Sequence, residues 1–251
     1  CERGMIRLIS LDGAMPDRMR DGAQSWDPGG IFDINVRALT SIDALHRAMS
    51  CEGFLSPSPI TDWDFGPLSV REVVEHDGDG LAIAFMQRVN PPLTGYEAIG
   101  GNASWVFNST QIVPDFKSAQ RFYRETLGWQ VVQESQLVHP DGRNCLGLPL
   151  GLAPGLRADV GIYHPHGRME GSVEIIAFDF GGIDFTNAAP GRGWSALRCA
   201  VSDAAALLAR AGADGCLVTP LAESDWQPHG RCLTGSIRTP WGARLELMQT
   251  I

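Results

Sequence analysis

The chain has 251 residues, of which 44% are hydrophobic, and its formal net charge is -9. A chain of this size and apolar content can bury a substantial core. The negative charge argues against a nucleic-acid partner, since binding a polyanion normally needs a basic surface. The sequence has no apolar run of about 18 residues that could cross a bilayer, and no export signal. We therefore expect a cytoplasmic protein that binds a small molecule and no membrane.

The six cysteines favour a reducing compartment, because they form no Cys-x-x-Cys pair and have no zinc-ligand spacing. The Gly-rich segment 77–80 is interpreted as a hairpin turn, since it lacks the lysine and the following helix of a phosphate-binding loop. No nucleophile motif occurs. These observations argue against a disulfide scaffold, a zinc finger or a nucleotide-binding loop.

The first 29 residues fit none of the repeats that follow them. Residues 1–10 resemble the last strand of a further unit, and residues 12–29 resemble a linker. This pattern predicts an N-terminal unit of which the sequence contains only the end. The alternative is that residues 5–11 form an added edge strand and that nothing is missing.

Further along, the chain repeats a strand followed by a helix. In the first copy, residues 31–38 form the predicted strand and residues 40–49 the predicted helix. In the second copy, the strand covers residues 108–113, Asp115 caps the helix, and Gly128 ends it. The second copy has the strongest signals, since cap, apolar helical spacing and stop all occur within a short segment.

The third copy has a strand at residues 194–201 and an alanine- and leucine-rich helix at residues 204–211, which Gly212 ends.

Aligned at the junction of strand and helix, the three copies place Asp33, Asn108 and Ala196 at equivalent positions. The intervals, 108 minus 33 and 196 minus 108, are 75 and 88 residues, enough for one helix and four strands each. We therefore predict βαβββ units at residues 30–88, 104–180 and 193–250.

The second copy carries a family resemblance. Its strand leads into an Asp-capped helix that ends in Phe-Tyr-x-x-x-Leu-Gly, from Phe122 to Gly128. This phrase resembles the opening of a module of the vicinal oxygen chelate superfamily, which includes glyoxalase I, bleomycin-resistance proteins and extradiol dioxygenases. The resemblance implies an α+β protein in which repeated βαβββ modules pair into curled mixed sheets, a glyoxalase-like fold. We expect 193–250 to pair with 104–180, and 30–88 to pair with the incomplete N-terminal unit.

The resemblance also implies a divalent metal ion inside the cup formed by two paired modules. Each module would give one ligand from its first strand and a Glu from its last strand. In the expected pair these positions hold Asn108 and Ala196, then Glu174 and Glu246. Ala196 cannot coordinate a metal, and a neutral Asn amide is a poor ligand for a transition metal. We therefore predict a degenerate metal site with Glu174 and Glu246 as its ligands.

The other cup would show Arg7, Asp33 and either Ile83 or Ala84 at the corresponding positions. Arg7 beside a cation is electrostatically unfavourable, so this cup is predicted to have lost its metal. The predicted substrate contacts are Asn108, Arg7, Asp33 and Trp194.

Glu174 and Glu246 allow two interpretations. In the first, both carboxylates face the cup and act as general base and acid or hold a cation, because nearby carboxylates in an apolar cup push one pKa upward. In the second, they are strand residues that face solvent or pair with Arg. The segment from His164 to His166 lies in a loop, where a turn is favoured over a metal site.

The predicted function is that of a small-molecule enzyme of the vicinal oxygen chelate type. We expect a lyase, isomerase or epimerase that acts on an oxygenated organic compound, since dioxygenase chemistry lacks its His ligands here. The alternative is a metal-free protein that binds and sequesters a small molecule, as bleomycin-resistance relatives do. A homodimer is compatible with either function.

Overall fold

The computed structural model describes residues 4–10, 13 and 17–251. Within this part of the chain, the elements follow one another as three groups, each with one strand, one helix and three further strands. The first comprises β1 (Asp33–Ala38), α1 (Ile42–Cys51), β2 (Thr61–Phe65), β3 (Leu68–His76) and β4 (Ala82–Asn90). The second comprises β5 (Ala103–Ile112), α2 (Phe116–Arg121), β6 (Gln130–Val138), β7 (Arg157–His164) and β8 (Ser172–Phe178). The third comprises β9 (Leu197–Ala200), α3 (Ala204–Ala213), β10 (Leu217–Trp226), β11 (Gly230–Arg238) and β12 (Arg244–Thr250).

The helices begin where side-chain caps satisfy their free N–H groups. Asp115 accepts a hydrogen bond from the backbone N–H of Ser118 at 2.7 Å, and Asp203 accepts one from that of Ala206 at 2.9 Å. A π-helical turn, Phe122–Thr126, continues α2 until Gly128, whose φ of +72° suits a residue without a Cβ. The predicted start and end of this helix are therefore confirmed.

Two sheets organise the strands. The larger has eight strands in the order β2-β3-β4-β1-β5-β8-β7-β6, and the smaller has four in the order β10-β11-β12-β9. In the large sheet, β1 is parallel to β4, β5 is parallel to β8, and the two halves join through the antiparallel pair β1 and β5. This curled mixed sheet confirms the predicted α+β, glyoxalase-like fold.

The sheet joins different units from those that we expected. Units 30–88 and 104–180 share the eight-stranded sheet, whereas 193–250 forms the four-stranded sheet by itself. The side chain of Asn35 on β1 donates to the Thr110 hydroxyl on β5 at 2.9 Å, so side-chain bonding reinforces the central pair. This corrects the predicted pairing of 193–250 with 104–180, and of 30–88 with an N-terminal unit.

The N-terminal prediction is described only in part. Residues 1–3, 11, 12 and 14–16 lie outside the described residues. Gly4 makes an isolated antiparallel bridge to Val106, and residues 5–10 form no strand. Within the described residues, the predicted strand over residues 1–10 is therefore reduced to this single bridge.

Apolar packing places the helices on the outer side of the large sheet. Phe122 and Tyr123 from the helical segment share one core with Leu208 of α3 and with Ile237 and Trp241 of the third unit. A second core lies on the concave side, where the long segment between β6 and β7 contributes Leu146 and Leu148. The cup is therefore closed at one end by this segment.

One buried histidine in the same segment predicts an acid-sensitive step in stability. His139 is fully buried beside Trp63, with ring centroids 5.2 Å apart, and neither ring nitrogen has a hydrogen-bond partner among the described residues. Burial lowers the pKa of His139. Because the folded state disfavours the imidazolium, the stability contributed by neutral His139 is present above about pH 6.5 and is lost as the pH falls.

Lowering the pH from 7 to 5 should therefore reduce the free energy of unfolding less in His139→Phe than in the wild type. Urea unfolding at the two pH values measures this change, and His166→Gln, at an exposed position, serves as the control. An equal difference between wild type and His139→Phe at both pH values would contradict the assignment.

Candidate active site

A cavity opens on the concave face of the eight-stranded sheet. Its empty volume is about 820 Å³, which includes the open mouth. Alternation along each strand sends every second side chain into it. Its walls are mainly apolar, with Phe32, Phe65, Leu68, Val74, Met86, Phe107, Leu137, Val160, Ile162 and Ile176 among the lining residues.

Three carboxyl groups line the cavity: Asp33 of β1, Glu72 of β3 and Glu174 of β8. We call them the carboxyl cluster. Burial raises the pKa of Asp33 to about 7. Burial, reinforced by the charge of Glu174, raises the pKa of Glu72 to about 8. Burial and the charge of Asp33 raise the pKa of Glu174 to about 7. Near neutral pH these groups therefore exchange protons as a coupled set.

A chain of hydrogen bonds connects two members of the cluster. The Asn35 amide donates to Asp33 Oδ1 at 3.2 Å and to Thr110 Oγ1 at 2.9 Å. The Thr110 hydroxyl in turn donates to Glu174 Oε2 at 3.0 Å. Because Asn35 and Thr110 lie on the central strands β1 and β5, this chain connects both carboxyl groups to the centre of the sheet.

Cys145 also lines the cavity, beside Glu72. Burial and the neighbouring carboxylates raise the pKa of this thiol well above its usual range. A thiol held in its protonated form is a poor nucleophile. Cys145 therefore packs in the cavity wall, where its thiol is a weak hydrogen-bonding partner of Glu72.

At the other end of β1, Arg37 occupies the same face. Its guanidinium donates to the Tyr96 hydroxyl at 3.2 Å, pairs with Glu170 at 3.4 Å, and lies 3.8 Å from the centroid of the Phe107 ring. The side chain of Arg37 is only 3% exposed, and Glu170 balances its buried charge.

The structure brings together three of the predicted site residues. Asp33, Asn108 and Glu174 all line the cavity. Asn108 is buried, and its Oδ1 atom has no hydrogen-bond partner among the described residues. An acceptor in this state can receive a hydrogen bond from a ligand hydroxyl.

The other predicted site residues lie elsewhere. Glu246 is on the four-stranded sheet, where Arg198 donates to it at 2.6 Å, so it does not share the cavity with Glu174. Arg7 is exposed and stacks on Trp226 at 3.9 Å. The Trp194 ring N–H donates to the Ala82 carbonyl at 2.8 Å, and its side chain lines a separate small pocket.

Sequence reasoning missed Glu72, Arg37 and Arg88, which all line the cavity. A signal for Glu72 was present, since it alternates with Val70 and Val74 on one face of a strand. Arg88 similarly follows Ala84 and Met86 at alternate positions. A charged residue on an otherwise apolar strand face is the pattern that identifies them.

The residues present do not form the metal site that the resemblance implies. Asp33, Asn108 and Glu174 offer oxygen atoms to a metal. Ala84 takes the position in the first unit that Glu174 takes in the second, and its side chain offers no oxygen atom. The equivalence follows from the register, in which Ala84 pairs with Asn35 and Glu174 pairs with Thr110. Among the described residues, no three side chains of His, Cys, Asp or Glu are grouped so that they could hold a metal ion.

Comparisons with known proteins agree with the fold. The sequence profile described as Glyoxalase/Bleomycin resistance protein/Dioxygenase superfamily matches residues 105–247. No curated protein matches the sequence. In the part of the chain that the structure describes, no helix is long and apolar enough to cross a membrane.

Two solved structures illustrate the similarity. Glyoxalase I from Zea mays is 14% identical, with a TM-score of 0.57 over 91% of this chain and 71% of that chain. A putative dioxygenase from Bacillus subtilis subsp. subtilis str. 168 is 10% identical, with a TM-score of 0.53 over 89% of this chain and 63% of that chain. At these identities the likeness concerns the fold alone.

Proposed function

Because the chain belongs to the Glyoxalase/Bleomycin resistance protein/Dioxygenase superfamily, we propose that it is an enzyme that transfers protons on a small oxygenated organic molecule. The reaction class is that of a lyase, isomerase or epimerase. The observation that carries the proposal is the convergence of Asp33, Glu72 and Glu174 on one apolar cavity. The resulting pKa values of about 7 to 8 lie near the working pH, where general acid–base catalysis is most efficient.

The environments of the carboxyl groups suggest their roles. The Thr110 hydroxyl donates to Glu174 and favours its ionised form, so Glu174 is the base that removes a proton from carbon next to a carbonyl group. Glu72 has the highest pKa of the cluster, about 8, and donates a proton to the developing oxyanion. Asp33 is joined to Glu174 through Asn35 and Thr110, and positions it.

The remaining cavity wall binds and orients the ligand. The unpartnered Asn108 Oδ1 accepts a hydrogen bond from a ligand hydroxyl, which selects an oxygenated compound. The apolar side chains exclude water when the ligand is bound, which keeps the carboxyl pKa values high.

The proposal is tested by solvent isotope exchange. A panel of 2-hydroxy ketones and 2-oxo acids is incubated with the protein in D₂O, and proton NMR follows exchange at the carbon next to the carbonyl group. We expect the wild type to accelerate exchange for at least one compound. Glu174→Gln should lower that rate about 100-fold or more, because positioned proton transfer contributes roughly 10²–10⁴-fold.

Glu246→Gln is the matched control, since Glu246 lies on the other sheet and pairs with Arg198. It should change the exchange rate less than about twofold, within the range of surface substitutions. Equal rates for wild type and Glu174→Gln would overturn the assignment of the base.

The second candidate is a metal-free protein that binds a small molecule without converting it. The observation that favours it is Ala84, whose side chain offers no metal ligand at the position equivalent to that of Glu174. A compound that binds in the cavity but shows no accelerated exchange would support this candidate. The predicted divalent cation, cytoplasmic location and homodimer stay predictions, of which metal analysis of protein purified without chelators tests the first.

A further inference from the structure

Arg88 stands out among the cavity residues because its guanidinium has a buried donor without a hydrogen-bond partner among the described residues. It lies on β4 and lines the cavity together with Arg37. Its Nε atom is buried and has no hydrogen-bond partner among the described residues. A buried donor that lacks a partner costs free energy, commonly about 1–3 kcal/mol, unless a ligand supplies the acceptor.

The charges around Arg88 are unbalanced. The charged groups that act on it are Arg37, which opposes its charge, and Glu170, which favours it. Glu170 already pairs with Arg37 at 3.4 Å and accepts a hydrogen bond from Tyr96 at 2.8 Å. One carboxylate, Glu170, thus faces two guanidinium groups. Glu72 also acts on Arg37, but its pKa of about 8 keeps it mainly protonated near neutral pH, so a net positive charge is left at this end of the cavity.

The positions of the two charged ends set the length of a ligand. Asp33 and Arg37 are on the same face of β1 and four residues apart, which corresponds to about 13 Å between their Cα atoms. Arg88 lies two residues beyond Met86, the β4 partner of Arg37, and is followed by the exposed Val89 and Asn90. Asp33 and Glu174, which both pair in register with Thr110, are therefore at the inner end. Glu72 lies level with Met86, and Arg88 is at the mouth.

Between these ends, apolar side chains line the cavity beside Arg37 and Glu72. Phe107, Met86 and Leu68 line the cavity and offer no charge to a ligand that passes them. A ligand that suits this order of groups has an anionic head, an apolar middle and an oxygenated inner end.

We infer that Arg88 binds the anionic head of the substrate, a carboxylate or phosphate separated by an apolar spacer from the carbon at which the carboxyl cluster acts. The inference rests on the proposed function for the inner end, but the anion site itself is defined by Arg88 alone. A guanidinium with a free donor at the rim of an apolar cavity matches such an oxyanion in charge and geometry.

Matched probes test this without knowledge of the natural ligand. Titration calorimetry compares 5-phenylpentanoate, 5-phenylpentanamide and 4-phenylbutyl phosphate, of which the amide lacks the charge. We expect the wild type to bind the carboxylate or the phosphate at least tenfold more tightly than the amide, and the preference to decrease with added salt. The stronger of the two anions identifies the class of head group.

Arg88→Gln should remove the preference for the anion and leave the affinity for the amide within about twofold, because the apolar wall is unchanged. Arg88→Lys should keep part of the preference, since it retains the charge but not the planar donor pair. Arg231→Gln is the matched control, because Arg231 is 71% exposed and pairs with Glu223 on the other sheet. Circular dichroism confirms that each variant is folded.

The inference is overturned if the anions bind no better than the amide, if no probe binds, or if Arg88→Gln keeps the wild-type preference. If Arg88→Gln does not fold, Arg88→Lys and the salt dependence of the wild type decide. Glu174→Gln separates this inference from the proposed function. It should remove isotope exchange and keep the anion preference, whereas Arg88→Gln should remove the preference.

Discussion

Trp241→Ala is expected to lower the free energy of unfolding by about 3–5 kcal/mol, the usual range for removing a large buried aromatic side chain. Trp241 is 2% exposed and lies in the turn between β11 and β12. Its ring packs edge-on against Phe122, with centroids 5.4 Å apart, and lies 5.9 Å from Tyr123. The substitution therefore leaves a cavity where the third unit meets the helical segment of the second.

A hydrogen bond adds to this packing. The Trp241 ring N–H donates to Gln111 Oε1 at 2.6 Å, and the Tyr123 hydroxyl donates to the same atom at 3.0 Å. Gln111 lies on β5, between Thr110 and Ile112, and is fully buried. Loss of Trp241 thus disturbs the strand that carries Asn108 and Thr110 on its cavity side.

Urea unfolding of wild type, Trp241→Phe and Trp241→Ala measures the effect. Trp241→Phe keeps most of the ring contacts but loses the donor to Gln111, so about 1–2 kcal/mol is expected for it. Trp226→Ala is a suitable comparison, because Trp226 is only half-buried, between Arg7 and Arg198. A loss below about 1 kcal/mol for Trp241→Ala would contradict the view that this residue holds the third unit in place.

The local elements were predictable from the sequence because their signals are local. Asp115 and Gly128 mark the start and end of the second helix, and both act as predicted. The three repeats follow from the recurrence of this pattern. Each repeat is one strand, one helix and three strands, as the structure shows.

The pairing of the repeats was not predictable in the same way. Three similar units allow several pairs, and the choice depends on contacts between residues far apart in the sequence. Asn35 and Thr110 are 75 positions apart, and the hydrogen bond between them lies at the join of β1 and β5. Neither residue carries a motif, so periodicity could not select this pair over the one that we expected.

The composition of the cavity follows from that pairing. Once β1 and β5 are neighbours, Asp33 and Asn108 share a wall with Glu174, whereas Glu246 remains with Arg198 on the other sheet. The sequence motif that carries the family resemblance identifies only the first and last strands of each unit. Glu72 and Arg88 enter through the curvature of the sheet, which brings β3 and the end of β4 over the same space.

The carboxyl cluster leads to the second large effect: the wild-type protein is expected to lose about 2 kcal/mol of stability between pH 6.5 and pH 8. The folded-state pKa values of Asp33, Glu72 and Glu174, about 7, 8 and 7, lie above the ordinary values of 3.8 and 4.5. The folded protein therefore holds more protons than the unfolded chain in this window. Their stabilising contribution is complete below the ordinary values and disappears as the pH rises through the folded values.

The window is chosen so that other groups do not interfere. Burial lowers the pKa values of His76, His139 and His164, whose ordinary pKa of about 6.5 lies at the lower edge of the window, so they titrate in the unfolded chain mainly near that edge. Burial raises the pKa of Cys145, whose effect begins only near the ordinary thiol value of about 8.5. Between these limits the carboxyl cluster dominates the slope.

Urea unfolding at pH 6.5, 7.2 and 8.0 tests the slope in wild type and Glu72→Gln. The variant should show about half the wild-type loss, because the group with the highest pKa no longer titrates and because the charge of Glu72 no longer acts on its neighbours. Glu223→Gln, at a site where the side chain is 65% exposed, should keep the wild-type slope. A wild-type stability that is constant or rises over this window would mean that the cluster is ionised throughout, and the assignment of Glu72 as proton donor would fail with it.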